Sequence, residues 1–164
     1  MKKLSLFALI PLLGLLVAFA AMQNDDPQPI AYNHNKHVEE NGMECLDCHV
    51  YAEEHAYASI PNTDVCKDCH EEAISDNPAE ARLIEFIDAN KQIPWRQINK
   101  VPDYAYFSHR RHVKLGQIEC QECHGDVGKL KKPMTEPFVE IKMAWCLDCH
   151  EKRQVSNDCS ACHR

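Results

Sequence analysis

Two stretches of the chain carry the same five chemically active residues at identical spacing. They are "HNKHVEENGMECLDCH", residues 34–49, and "HRRHVKLGQIECQECH", residues 109–124. Each opens on His-x-x-His-Val and closes on Cys-x-x-Cys-His. Imidazoles and thiolates are the side chains that bind transition metals, and thiols are also nucleophiles. Metal or thiol chemistry is therefore what these stretches could perform, and the chain has built the device twice.

The ten cysteines fall without remainder into five Cys-x-x-Cys-His units. These are Cys45, Cys48 and His49; Cys66, Cys69 and His70; Cys120, Cys123 and His124; Cys146, Cys149 and His150; and Cys159, Cys162 and His163. An even count would suit disulfides in an exported chain, but the spacing argues otherwise. Cys-x-x-Cys-His is the attachment signature of c-type haem: two thiols add across the porphyrin vinyl groups, and the next residue ligates the iron. Zinc is the competing reading. A zinc site pairs two Cys-x-x-Cys knuckles and does not require a histidine after each. Five histidines after five units favour haem, and the expectation is five covalently bound haem c groups.

Ten histidines are present, and five are used as proximal ligands. His34, His37, His55, His109 and His112 remain, one for each further axial position. Bis-histidine ligation follows from that count and from the repeated His-x-x-His frame. Met43, Met134 and Met143 are the alternative ligands; packing against porphyrin suits them better. Histidines three residues apart lie near one helical face and cannot serve the same iron, so each pair should pin two adjacent haems.

What must position these residues is not an ordinary core. Leu, Ile, Val and Phe number 25 in residues 22–164, which carry a net charge of −9. That share lies below the ~20% under which a charged chain struggles to stay folded. Five porphyrins would supply the missing apolar bulk. The acidic balance, without a basic stripe of interleaved aromatics, excludes nucleic acid as a partner. Residues 1–21 begin with Lys2 and Lys3, continue through an uncharged run and end on a small-x-small pattern. They read as a cleaved export signal, with an uncleaved membrane anchor as the alternative. Both readings send the remainder to the periplasm, the second with it tied to the inner membrane.

The expected organisation is a first haem repeat over 22–75 with two haems, a connecting segment over 76–103, and a second repeat over 104–164 with three. In the connector, Asn77 suits an N-cap and Pro78 the first helical position. Leu83, Ile84, Phe86 and Ile87 form an apolar stripe, and Pro94 is the stop, which predicts a helix over 78–91 bracing the haem stack. "KLKKP", 129–133, reads as a solvated loop. The fold class is mostly irregular with short α-helices around a haem stack and no substantial β-sheet.

His-x-x-His-Val ahead of Cys-x-x-Cys-His resembles the class III multihaem cytochromes c. "IPWRQINKVPDYAYFSHRRHV", 93–113, and "MAWCLDCH", 143–150, are similar to the pentahaem subunit of alternative complex III and related quinone-linked complexes. The resemblance implies pairings of His34 with His49, His109 with His124, His37 with His70, and His112 with His150, leaving His55 for His163. It also implies an electron carrier between a quinol-oxidising membrane complex and a redox protein partner. A reductase of small oxyanions would need an open iron position, and the full ligand count argues against an enzyme. A subunit with a purely structural role for its haems is the third reading.

Overall fold

The computed structural model describes residues 28–163; the expected signal or anchor at 1–21 lies outside the described residues. Six short α-helices occur among them: α1 (Cys45–Cys48), α2 (Thr63–Lys67), α3 (Pro78–Asp88), α4 (Cys120–His124), α5 (Met143–Lys152) and α6 (Cys159–Cys162). Each attachment unit thus begins on a helical turn. The reason is local: one turn sets residues i and i+3 on the same side, which is the spacing of the two thiols. The turn closes when the amide of the following histidine donates to the carbonyl of the first cysteine, at 2.9 Å for His49, His70 and His163.

The two His-x-x-His frames also share a backbone. Each enters as α-helix and widens into a π-helical turn, Lys36–Glu40 in the first and Arg111–Leu115 in the second. A π turn is rare and concentrates at functional sites. No strand forms among the described residues; the β-type pairing recorded there is an isolated bridge between Ala105 and His163. The absence of a substantial sheet agrees with the sequence reading.

α3 starts as its sequence dictates, with the Asn77 side chain accepting from Ala79 N–H at 2.9 Å and Pro78 in the first turn. It ends at Asp88, three residues short of the expected boundary. Asn90 adopts φ +50°, Asn90 N–H donates to Ile87 and Lys91 N–H to Phe86. This is a Schellman stop with Asn in the left-handed position, and it acts before Pro94 is reached.

Among the described residues, the cluster of buried apolar side chains lies around α3. Ile30, Leu83 and Ile93 are buried together, with Cys66, Phe86, Ile87 and Trp95 against them. Irregular backbone nearby is held by side-chain amides. Asn62 and Ile93 exchange two hydrogen bonds, at 2.7 and 3.2 Å, as do Gln28 and Arg96, at 2.9 and 3.0 Å. Elsewhere large apolar side chains stay open, Tyr57 at 80% exposure and Ile74 at 73%. Among the described residues no side chain is less than 2% exposed. The protein atoms leave apolar surface for another body to cover. Among the described residues no helix is long and apolar enough to cross a membrane.

The loop after α4 crosses from the second repeat to the first. Asn35 N–H donates to Leu130 O at 2.9 Å, and Gly128 lies beneath Val38, where a Cβ would come within 3.0 Å. The basic run is therefore anchored through its backbone, while Lys129 stays exposed and pairs with Asp126.

Candidate haem-binding site

The structure brings three pairs of imidazoles to nearly the same separation. His37 and His70 have ring centroids 6.2 Å apart, His112 and His150 6.1 Å, and His109 and His124 6.4 Å with planes only 2° from parallel. Two metal–nitrogen bonds of about 2 Å each, plus the half-widths of two rings, give a separation of roughly this size. The fourth expected pair, His34 and His49, is close enough for charge on one ring to lower the pKa of the other.

Orientation comes from the other ring nitrogen. Nδ1 contacts a backbone oxygen in His37 (Asn33, 3.0 Å), His109 (Ala56, 3.1 Å), His112 (Ser108, 2.8 Å) and His150 (Ser156, 2.6 Å). In His70 it contacts the Glu80 carboxylate at 2.8 Å. With Nδ1 so engaged as a donor, Nε2 is left as the nitrogen for a metal, the arrangement found around ligating histidines. His34 Nδ1 is buried without a hydrogen-bond partner.

Two aromatic residues complete the frames, and the sequence reading had missed both. Tyr32 stacks on His37 at 4.7 Å and meets His34 edge-on at the same distance. Phe107 stacks on His112 at 4.6 Å and meets His109 edge-on at 4.9 Å. The signal was present as an aromatic two residues before the first histidine of each repeat. Glu80 was also missed, because nothing in its spacing links it to His70.

Burial favours the neutral form of four of the imidazoles and five of the thiols. Burial holds His34 down at about 4, helped by His49 and His37. Burial likewise lowers His49, His109 and His124 and raises the thiols of Cys48, Cys66, Cys120, Cys123 and Cys146. A neutral imidazole is the form that ligates metal. Glu80 is the opposite case, held at about 2 by the Ile74 amide first, then by the Ser75 hydroxyl and His70.

The thiols of different units also approach one another. Cys48 interacts with Cys69 and Cys66, Cys45 with Cys120, Cys123 with Cys149 and Cys146, and Cys146 with Cys162. The second unit therefore lies near the first, the first near the third, the third near the fourth and the fourth near the fifth. The Arg153–Glu122 ion pair, at 2.6 Å, ties the third to the fourth.

His55 and His163 are not paired in this way. The His55 ring lies against Tyr51, and His163 stacks on Tyr104 at 5.9 Å. Both do border one stretch of chain: Ala105 bridges to His163, and Arg110 N–H donates to His55 O at 3.0 Å. Met134, the alternative ligand, has its sulfur 3.8 Å from Asn99 Nδ2.

All ten cysteines are free of disulfides. Among the described residues no three His, Cys, Asp or Glu side chains converge as a metal site. A structural zinc site needs four such ligands. Paired imidazoles, a dithiol beside each proximal histidine and uncovered apolar surface fit haem instead.

A family model described as cytochrome c7 and related cytochrome c matches residues 105–164. The chain is also 31% identical over 161 residues to the multihaem cytochrome c subunit of menaquinone reductase from Nitratidesulfovibrio vulgaris, strain Hildenborough, with 84% of this chain and 77% of that protein covered. The chain belongs to the multihaem c-type cytochromes, a family that binds haem c covalently, and its role is electron transfer rather than catalysis.

Proposed function

We propose that the protein is a periplasmic pentahaem electron carrier serving a quinone-linked membrane complex. The observation that carries the reading is the set of three imidazole pairs with ring centroids 6.1–6.4 Å apart. In this reading the ten cysteines of the five units form the thioether links. His49, His70, His124, His150 and His163 are the proximal ligands; His34, His109, His37 and His112 are the opposite ligands of the first four, in the pairings the resemblance implies. His55 serves His163, supported by the shared contact of both with residues 105–110. Two haems then belong to residues 22–75, three to 104–164, and the connector 76–103 braces the join.

Bound haem supplies reversible one-electron chemistry. The chain's part is to hold each iron between two imidazoles, fix the rings through Nδ1, and leave no coordination position for substrate. The row of units, ending at the second and the fifth, suits a carrier that meets different partners at its two ends. A quinone-linked complex as one of them is supported by the similarity to a subunit of menaquinone reductase and by the likeness to the alternative complex III subunit. Membrane contact then rests with residues 1–21, if they are not cleaved.

Intact mass after acid denaturation tests the stoichiometry, with five haem masses above the polypeptide expected. Electron paramagnetic resonance of the oxidised protein should show low-spin iron alone. A stoichiometric high-spin centre that binds carbon monoxide or nitrite would overturn closed bis-histidine ligation. Purification from membranes in company with a quinol-oxidising complex tests the partner.

A further inference from the structure

α3 brings more than a brace to the second attachment unit. Glu80, in its first turn, is 8% exposed, and both of its oxygens are engaged. Oε1 accepts from Ile74 N–H at 2.8 Å and faces His70 Nδ1 at 2.8 Å; Oε2 accepts from the Ser75 hydroxyl. A carboxylate buried this far is tolerated only when paired and hydrogen-bonded, and here three donors converge on it. The Nδ1 atoms of His37, His109, His112 and His150 meet only neutral backbone carbonyls.

The difference has a chemical consequence. An anionic acceptor on Nδ1–H draws the ring toward imidazolate and makes the other nitrogen a stronger donor. A stronger donor favours ferric over ferrous iron, and such hydrogen bonding is among the levers a protein has on haem potential. The geometry points to Glu80 as a positioning residue that acts through His70 to lower the reduction potential of the haem attached at Cys66 and Cys69, biasing one end of the row toward low potential. This rests on the reading of His70 as an axial ligand.

The test is a potentiometric titration of the intact, fully loaded cytochrome, followed by electron paramagnetic resonance, on the native protein, Glu80→Gln, Glu80→Asp and His70→Ala. Glu80→Gln keeps the side chain's size and removes its charge. One haem should become about tenfold easier to reduce, a rise of ~59 mV for one electron. The other four should not move, and the haem content should be unchanged. Glu80→Asp retains the charge on a shorter stem and should move the same haem by less. It also serves alone where the glutamine variant does not mature. His70→Ala identifies the haem, since its low-spin signal should be lost. Unchanged potentials in a fully loaded Glu80→Gln or Glu80→Asp protein overturn the role of Glu80. A low-spin signal that survives His70→Ala overturns instead the ligation on which it rests.

Discussion

The two repeats use the same frame and finish it differently. In both, an aromatic ring stacks on the second histidine of His-x-x-His, at 4.7 Å for Tyr32 and 4.6 Å for Phe107. In both, that histidine turns Nδ1 back to the carbonyl four residues earlier and lies near the Cys-x-x-Cys-His histidine of the next unit, with ring centroids 6.2 Å and 6.1 Å apart. The partners behind the two Cys-x-x-Cys-His histidines differ. His70 meets a buried carboxylate from α3, whereas His150 meets the backbone oxygen of Ser156. The small side-chain core also lies with the first repeat and its connector. The lesson is that the ligand frame can be copied as a unit, while the environment behind it comes from whatever the rest of the chain packs there.

The sharpest way to break the comparison is to remove the haems from both repeats. Produced in a host without cytochrome c maturation, residues 22–164 should show no cooperative unfolding transition by circular dichroism. The side chains alone bury too little apolar surface to offset the ordering entropy.

Removing one haem at a time should then separate the regions. Cys66→Ala with Cys69→Ala opens the side of the core formed by Ile30, Leu83 and Ile93, against which Cys66 lies. Yield should fall severely and proteolysis should spread through residues 28–95. Cys159→Ala with Cys162→Ala acts at the far end of the row and should give a four-haem protein with residues 28–95 still protease-resistant. Equal damage from both would show that the core offers the first repeat no separate support.

Leu83→Ala tests the core without touching a haem. Leu83 is 8% exposed, and the substitution should cost roughly 2–5 kcal/mol. Hydrogen exchange should accelerate in α3 and α2 and remain native in α5.

Smaller effects sharpen the likeness. Tyr32→Leu and Phe107→Leu each remove one stacked ring and should each cost about 0.5–1.5 kcal/mol in denaturant unfolding. Their costs should agree if the two frames are equivalent. Arg153→Ala removes an exposed ion pair with Glu122 and should leave unfolding unchanged, since pairs open to water contribute little.

Much of the chemistry was readable because it is local. A Cys-x-x-Cys-His unit needs only one turn to present two thiols and an imidazole, so five of them could be read one by one. The same holds for the start of α3, where Asn77 and Pro78 act within their own turn. Its end was misplaced because Asn90 stopped it through a backbone conformation that asparagine permits but does not enforce. Tyr32 and Phe107 were visible as a repeated position, yet a lone aromatic does not declare what it stacks on.

Residue identity and spacing by themselves determined which thiols and imidazoles are the ligand candidates, that the helices are short, and that side chains cannot supply a full core. Only the tertiary structure decided which units are neighbours: the second beside the first, and the first beside the third. It also decided which oxygen stands behind each imidazole, a carboxylate for His70 and carbonyls for His37, His109, His112 and His150. These choices depend on contacts between residues distant in sequence or in separate elements, where burial and close packing select the neighbours. A spacing rule read along the chain is blind to them.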